Sequence, residues 1–235
     1  MKNRSFLAFV VLAALPAAAL ARPAALQMSL GEQHVAFAGA AANLPGATFS
    51  IRGVSRRLGR AGVRVHVSYA RGAGAELDEG GFRFTAYPAH VISPYAAVGV
   101  LSLTGLSGAT SVSTSYAINP YTGAINPVVT TAALPPVSVA TGYAFAGLHA
   151  RYYLSPRLVL TAHAALGAGF GGSVSGVAAS ASGGQNPLAT SLGIAMRYRV
   201  TRRLDASLGY SRVSIPARGS DFKSSGVSGD LSYRF

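Results

Sequence analysis

The 235-residue chain contains no cysteine and no tryptophan, and acidic residues are scarce. Without cysteine, the chain has no disulfides, no thiol nucleophile and no thiolate metal ligands. There are 7 Asp and Glu residues against 20 Lys and Arg, for a formal net charge of +13. Beyond the first residues no apolar run approaches the about 20 residues that a transmembrane helix needs. The composition therefore argues against a helical membrane protein and a disulfide-stapled domain.

Residues 1–21 have the pattern of a secretory signal peptide. Lys2 and Arg4 give a positively charged start, and residues 6–15 form a short apolar run. The segment 19–21, Ala-Leu-Ala, supplies the small residues of a cleavage site before Arg22. The apolar run is too short to cross a bilayer comfortably. We predict a cleaved signal peptide over 1–21 and one exported domain over 22–235.

Apolar and polar residues alternate through much of the remaining sequence. Residues 63–69, VRVHVSY, show the pattern most clearly, and residues 158–168 and 204–210 repeat it. A period of two is that of a β-strand with two different faces. Strands with one face in lipid are apolar at every second position, which raises hydropathy without a long apolar run. Abundant Gly and Ala fit a narrow barrel, where small side chains leave room for large ones.

Residues 226–235, GVSGDLSYRF, alternate in the same way and carry two aromatic residues. This stretch resembles the closing strand of bacterial outer-membrane β-barrels, in which alternating apolar residues lead to a terminal Phe. The resemblance implies that Leu231, Tyr233 and Phe235 face lipid and act as an assembly and closure signal. It also implies that this strand pairs with both the preceding strand and the first strand near Leu26. The whole domain is similar to small barrels of the OmpA/OmpX-like type.

The fold class predicted is therefore all-β: a transmembrane antiparallel up-and-down barrel of about ten strands, with eight as the alternative. Strands near the 9–11 residues that cross a bilayer are expected. Residues 39–46, 72–80 and 105–136 are predicted to be loops, and long and short connections are predicted to alternate, as in outer-membrane barrels. In the first strand the apolar phase shifts after Gly31, which predicts a bulge or bend there.

An acidic patch lies in the predicted loop at 72–80. Glu76, Asp78 and Glu79 could bind a divalent cation, but they lack the spacing of a calcium-binding loop. A solvated loop is the favoured interpretation.

Charged and histidine side chains on the polar phase of the strands are predicted to point into the barrel. They are Arg52, Arg64, His66, Arg83, His149, Arg151, His163, Arg197, Arg199, Asp205, Asp230 and Arg234. Two acids cannot pair with so many bases, so water must reach this interior. The favoured interpretation is an internal charge network, and the alternative is the basic lining of a narrow anion-preferring pore. The arginines form no basic run, which argues against nucleic-acid binding.

Candidate catalytic groups are few. His66, His149 and His163 could act as bases, but no acid lies at an obvious spacing and no G-x-S-x-G motif is present. Phosphate-binding glycine motifs are also absent. We therefore predict no catalytic, cofactor-binding or metal-binding residues, no cofactor and no enzymatic activity.

The resemblance implies a protein of the outer membrane of a Gram-negative bacterium. Its expected role is non-enzymatic and structural or surface-related, in envelope integrity or adhesion. Expected partners are outer-membrane lipids, lipopolysaccharide, the barrel-assembly machinery and periplasmic chaperones, with no nucleic acid. Two alternatives stay open: a barrel enzyme acting on lipid A or peptides, and a soluble periplasmic β-sandwich.

Overall fold

A computed structural model describes residues 22–55, 61–88, 90–108, 110–118, 125–176, 188–217 and 220–235. The predicted signal peptide lies outside these ranges. No helix in the described part of the chain is long and apolar enough to span a membrane. The strands assigned there are β1 (Arg22–Phe37), β2 (Ala40–Ser55), β3 (Ala61–Gly72), β4 (Ala75–Thr85), β5 (Ile92–Leu106), β6 (Thr110–Ile118), β7 (Ile125–Ala133), β8 (Val137–Tyr153), β9 (Leu158–Ser175), β10 (Ala189–Arg199), β11 (Leu204–Ala217) and β12 (Ser220–Arg234).

Ten of these strands close into one barrel, in the order β1-β12-β11-β10-β9-β8-β5-β4-β3-β2. Neighbouring strands are antiparallel, and β12 pairs with β11 on one side and with β1 on the other. Leu26 lies opposite Tyr233, which confirms the predicted closure. The ten-stranded barrel is confirmed, while the eight-stranded alternative and the β-sandwich are wrong. Strands β6 and β7 form a separate two-stranded sheet between β5 and β8.

The two ends of the barrel differ in their connections. At the proximal end, where β12 ends, the strands are joined by residues 56–60, 86–91, 154–157 and 200–203. The distal end carries the β6–β7 hairpin and the connection 176–188. The barrel strands are between 11 and 18 residues long. Most exceed the 9–11 residues that cross a bilayer, so part of the barrel extends beyond it.

Two predicted loops at the distal end are wrong. Residues 38–39 and 73–74, both Ala-Gly, form two-residue turns in which every residue has positive φ, as a type I′ hairpin turn requires. Residues 40–55 and 75–85 are strands instead. Most of 105–136 is likewise ordered as the β6–β7 hairpin. Connection lengths therefore do not alternate as predicted, because several strands continue past the membrane and meet in tight turns.

The outer face carries a continuous apolar belt around the proximal and middle parts of the barrel. Its most exposed side chains are each at least 43% exposed: Leu26, Met28, Leu30, Phe49, Ile51, Leu148, Leu166, Leu192, Ile194, Met196, Leu208, Val227 and Leu231. On β5, Val98 continues the belt at 41% exposure. Proteins in water rarely expose so large a contiguous apolar surface. Closure of the barrel leaves no free strand edge in the belt, which is the condition for a sheet to cross a bilayer.

The inner face changes from polar to apolar toward the distal end. In β1, Gln27 and Ser29 are followed on the same face by Val35 and Phe37. Pairing with both neighbouring strands runs without a break through Gly31, so the predicted bulge there is wrong. The largest buried apolar side chains, each under 2% exposed, form what we call the distal plug: Val35, Phe37, Leu44, Leu77, Leu103, Leu106, Val137, Val139, Ile215 and Phe222.

The outer face changes from apolar to polar toward the distal end. This change occurs at about the same level as the change on the inner face. In β1, Leu30 of the belt is followed on the outward face by Glu32 and His34. In β12, Val227 is followed toward the distal end by Ser225 and Lys223. The distal end is therefore polar outside and apolar inside, as in a water-soluble barrel. The lipid boundary lies where the two faces exchange character, which explains the apparent phase shift in the sequence.

Candidate functional site

Arginine side chains converge in the proximal half of the barrel interior. Arg52, Arg64 and Arg83 lie directly opposite one another on the adjacent strands β2, β3 and β4. Arg197 on β10 and Arg151 on β8 complete what we call the arginine cup. These five residues and His149 line a cavity of about 540 Å³ that reaches the proximal rim. Like charges directly opposite each other on neighbouring strands repel, so this arrangement is electrostatically unfavourable by itself.

The hydrogen-bond partners of the cup arginines are mostly neutral. Arg52 and Arg64 both donate to Oε1 of Gln27, at 2.5 and 3.1 Å. Arg151 donates to the carbonyl oxygen of Pro88. These contacts satisfy individual N–H groups without neutralising the positive charge.

Arg83 makes a different kind of contact. Its guanidinium carbon lies 4.2 Å from the ring centroid of Tyr95, within the range of a cation–π interaction. This contact too leaves the charge without a carboxylate partner.

One acidic residue, Asp205, appears among the described residues that line the cup cavity. Asp205 is 4% exposed. Its Oδ2 accepts two hydrogen bonds from the Arg234 guanidinium, and the one from Nε is 3.0 Å long. The Nε atom of Arg199 lies 3.9 Å from Asp205 Oδ1. Asp205 is thus committed to two arginines at the proximal rim, and no ion pair joins it to a cup arginine in the described part of the chain.

A smaller chamber of about 290 Å³ lies between the cup and the distal plug. Glu79 projects into it and accepts a hydrogen bond from the Tyr143 hydroxyl at 2.6 Å. The same carboxylate oxygen lies 3.6 Å from Nε2 of His66. The chamber therefore contains an acid whose neighbours are a histidine and a tyrosine, and it is less basic than the cup.

Glycines make room for the rings in this chamber. A Cβ atom at Gly99 would lie 2.5 Å from Cζ of Tyr143, and one at Gly193 would lie 2.3 Å from Cε1 of His163. Each glycine faces its ring across a strand pair. Small residues therefore leave space for large ones on neighbouring strands, as the composition predicts.

The structure places all twelve residues of the predicted charge network on the inner face, where each lines at least one of three connected cavities. It brings together Asp205, Arg199 and Arg234, as well as Arg52, Arg64 and Arg83. Asp230 accepts a hydrogen bond from Ser207 at 2.9 Å and lines a cavity that Arg64, Arg83 and Arg197 also line. The function of this set stays a prediction. Three residues of the predicted assembly signal lie exposed on the outer face: Leu231, Tyr233 and Phe235.

Glu79 is the interior acid that the sequence interpretation misses. The predicted loop at 72–80 is strand β4, in which Glu79 has the same inward phase as Gly81 and Arg83. Glu79 precedes Arg83 by four residues, so the alternation that places Arg83 inside the barrel also places Glu79 inside. Glu76 and Asp78 lie on the opposite phase of the strand, so the three acids do not form one patch.

The histidine beside a serine and the histidine beside an acid are different residues: His163 lies near Ser191, whereas His66 lies near Glu79. The Oγ atom of Ser191 lies 3.4 Å from Nε2 of His163, which is long for a hydrogen bond. The ring of Tyr95 lies 6.3 Å from that of His163 between centroids, and His149 lies directly opposite His163 on β8. No carboxylate contacts His163 in the described part of the chain, so the orienting group of a triad is lacking. Those same residues contain no group of three or more His, Asp or Glu that could hold a metal.

A closed antiparallel barrel with an apolar belt outside and polar groups inside defines a transmembrane β-barrel, the class that spans the outer membrane of Gram-negative bacteria. No family model and no curated protein matches the chain. Membership of the OmpA/OmpX-like group stays a prediction.

Several solved structures are similar to this chain at low identity. The translocator domain of the autotransporter NalP from Neisseria meningitidis is 12% identical with a TM-score of 0.41, and the match covers 100% of both chains. The transport unit of the autotransporter AIDA-I from Escherichia coli is 10% identical with a TM-score of 0.40, over 91% of this chain and 90% of that one. The KdgM porin is 11% identical with a TM-score of 0.38, over 88% and 99%. Similarities at this level add nothing about function.

Proposed function

We propose that this chain is a non-enzymatic outer-membrane barrel that has a structural role in the envelope and does not conduct. The observation that supports this most is the distal plug. Conduction requires a continuous polar path for ions and water. The ten plug side chains are each under 2% exposed and pack against one another across the interior. The cup cavity, which proximal-connection residues line, lies on the proximal side of this plug.

The alternative of a narrow anion-preferring pore fits the basic cup but not the plug. The alternative of a surface enzyme acting on lipid A or peptides requires a reactive group that an outer-leaflet lipid or an external peptide can reach. The Ser191–His163 pair lines the inner cavities between cup and plug, facing away from the belt. Access from the outside is therefore blocked by the same apolar residues that oppose conduction.

Two features of the distal end support a surface role. The β6–β7 hairpin is a separate sheet whose large apolar side chains, such as Val112 and Tyr116, are exposed. Outside the barrel, Lys223 is exposed beyond the distal edge of the apolar belt. A cation at this level is placed to contact the phosphates of lipopolysaccharide. Membrane lipids, lipopolysaccharide and the barrel-assembly machinery are the partners that this proposal includes.

Single-channel recording in planar bilayers tests the proposal. The purified, folded barrel should insert without giving discrete conductance steps, because the plug interrupts the water path. A known porin recorded in the same bilayers serves as the positive control. Reproducible steps from the folded chain, scaling with salt concentration, would contradict the proposed closed interior.

A further inference from the structure

We propose that the arginine cup is a binding site for a small soluble polyanion that carries phosphate or carboxylate groups and enters from the periplasmic, proximal side. This goes beyond the structural role and gives the barrel interior a ligand class. The site is built by five strands of the barrel wall, and its key residues are those of the cross-strand row Arg52, Arg64 and Arg83.

The charge arrangement is the first argument. Three guanidinium groups in register repel one another, and their direct contacts among the described residues are a shared glutamine oxygen and a tyrosine ring, with no carboxylate in ion-pair contact. Glu79 and Asp230 line inner cavities that the row also lines, but these two acids are fewer than the five cup arginines. A buried charge is costly unless it is paired, so positive charge is left over. An incoming anion would supply the missing counter-charge.

Unused hydrogen-bonding capacity is the second argument. Among the described residues, the buried side-chain atoms without a hydrogen-bond partner include Nε of Arg52, Nε of Arg151 and Nδ1 of His149. All three residues line the cup cavity. Arg197 also lines it, and its side chain makes no hydrogen bond or ion pair in the described part of the chain. Residues on opposite walls of the same cavity thus carry side-chain nitrogen atoms that no group of the described chain pairs with.

The cavity shape decides the direction of entry. Pro156 and Arg157, in the proximal connection 154–157, line the mouth of the cup. The distal plug closes the other end, so a ligand from outside the cell has no route through the described interior. A volume of about 540 Å³ accommodates a small molecule rather than a folded domain.

The lining decides the ligand class. Guanidinium groups bind carboxylate and phosphate through paired N–H···O bonds, which are stronger than neutral hydrogen bonds. Several guanidinium groups around one cavity favour an anion with more than one charged group. Phosphate and carboxylate anions share this chemistry, so the experiment includes both.

The test measures the unfolding midpoint of the barrel in detergent as a function of added anion. Inorganic pyrophosphate, citrate and sodium chloride are compared at matched ionic strength. A ligand that binds only the folded state raises the unfolding midpoint in a saturable way. We expect pyrophosphate, citrate or both to do so, and sodium chloride not to. The more effective anion identifies the phosphate or carboxylate class.

Variants locate the effect. Arg64→Gln should raise stability without ligand, because it relieves repulsion within the row, and should weaken anion binding roughly tenfold or more. Arg197→Gln should weaken binding without that gain, and it serves as the second variant if Arg64→Gln does not fold. Arg212→Gln removes an exposed, outward-facing arginine and is the matched control, with binding unchanged.

Two outcomes overturn the proposal. One is the absence of saturable stabilisation by either anion beyond that given by sodium chloride. The other is equal weakening by Arg197→Gln and Arg212→Gln, which would mean a general response to net charge. Neither outcome bears on conduction, so the proposed closed interior is tested separately by the bilayer recordings.

Discussion

Replacing Phe222 by alanine is expected to lower the free energy of unfolding by about 3–5 kcal/mol, the range for emptying a buried aromatic site. Phe222 is 1% exposed in the distal plug, directly opposite Ile215 of the plug on β11. The plug packs like the core of a soluble protein, and rigid barrel walls cannot collapse far to fill a cavity. Urea-dependent unfolding of the barrel from lipid vesicles would measure the change.

The control for this variant is Tyr116→Ala in the β6–β7 hairpin. Tyr116 is 71% exposed, and its removal creates no cavity. Its effect should stay within about 0.5 kcal/mol, as for most exposed positions. If Phe222→Ala destabilised the barrel no more than Tyr116→Ala does, the distal interior would not be a packed core.

A charge placed in the apolar belt is expected to have the second large effect. Ile194 is outward-facing and 50% exposed, midway along the outer face of β10 between Thr190 and Tyr198. Ile194→Arg should destabilise the folded barrel in lipid by about 2–4 kcal/mol, the range for arginine near the bilayer midplane. The same urea titration in vesicles measures this value.

Ser173→Arg is the matched control for the belt. Ser173 is exposed on β9 near the distal end, where the outer face is polar. Near or beyond the interface an arginine should cost about 0–1 kcal/mol. Comparable losses in the two variants would mean that the lipid boundary does not lie where the outer face turns polar.

The class of fold could be predicted from the sequence because the signal is repeated in every strand. Alternation in stretches such as 63–69 and 204–210 depends only on one face meeting lipid and the other facing inward. Closure through residues 226–235 is implied by the resemblance of that stretch to the closing strand of outer-membrane barrels. Each strand supports the others, so an error in one does not change the class.

The distal turns could not be predicted because their chemistry is unusual. Type I′ turns favour Asn-Gly, whereas this chain uses Ala-Gly at 38–39 and 73–74. Such a dipeptide is common in a chain rich in both residues and does not mark a turn. The misplaced loop at 72–80 then hid Glu79 from the list of interior residues.

The distal plug could not be predicted for a different reason. The prediction assumes one rule for the whole strand, polar inside and apolar outside, and that rule holds only within the bilayer. In β1 the rule reverses after Gly31, and the reversal resembles a shift of phase. The pairing of Arg52, Arg64 and Arg83 also required the register between strands, which sequence alternation does not specify.

The central claim is that the interior consists of a wet proximal cup beneath a dry distal plug. Cysteine accessibility tests this claim most directly. The chain has no cysteine, so single variants carry one thiol each. Thr85 lines the cup cavity, and Ala70 is 1% exposed in the plug region, on inward-facing positions of adjacent strands. In nanodiscs, where both membrane faces are open to solvent, Thr85→Cys should react readily with a charged thiol reagent. Ala70→Cys should stay unmodified until the barrel is unfolded in urea. Equal reaction rates for the two folded variants would contradict the division of the interior into cup and plug.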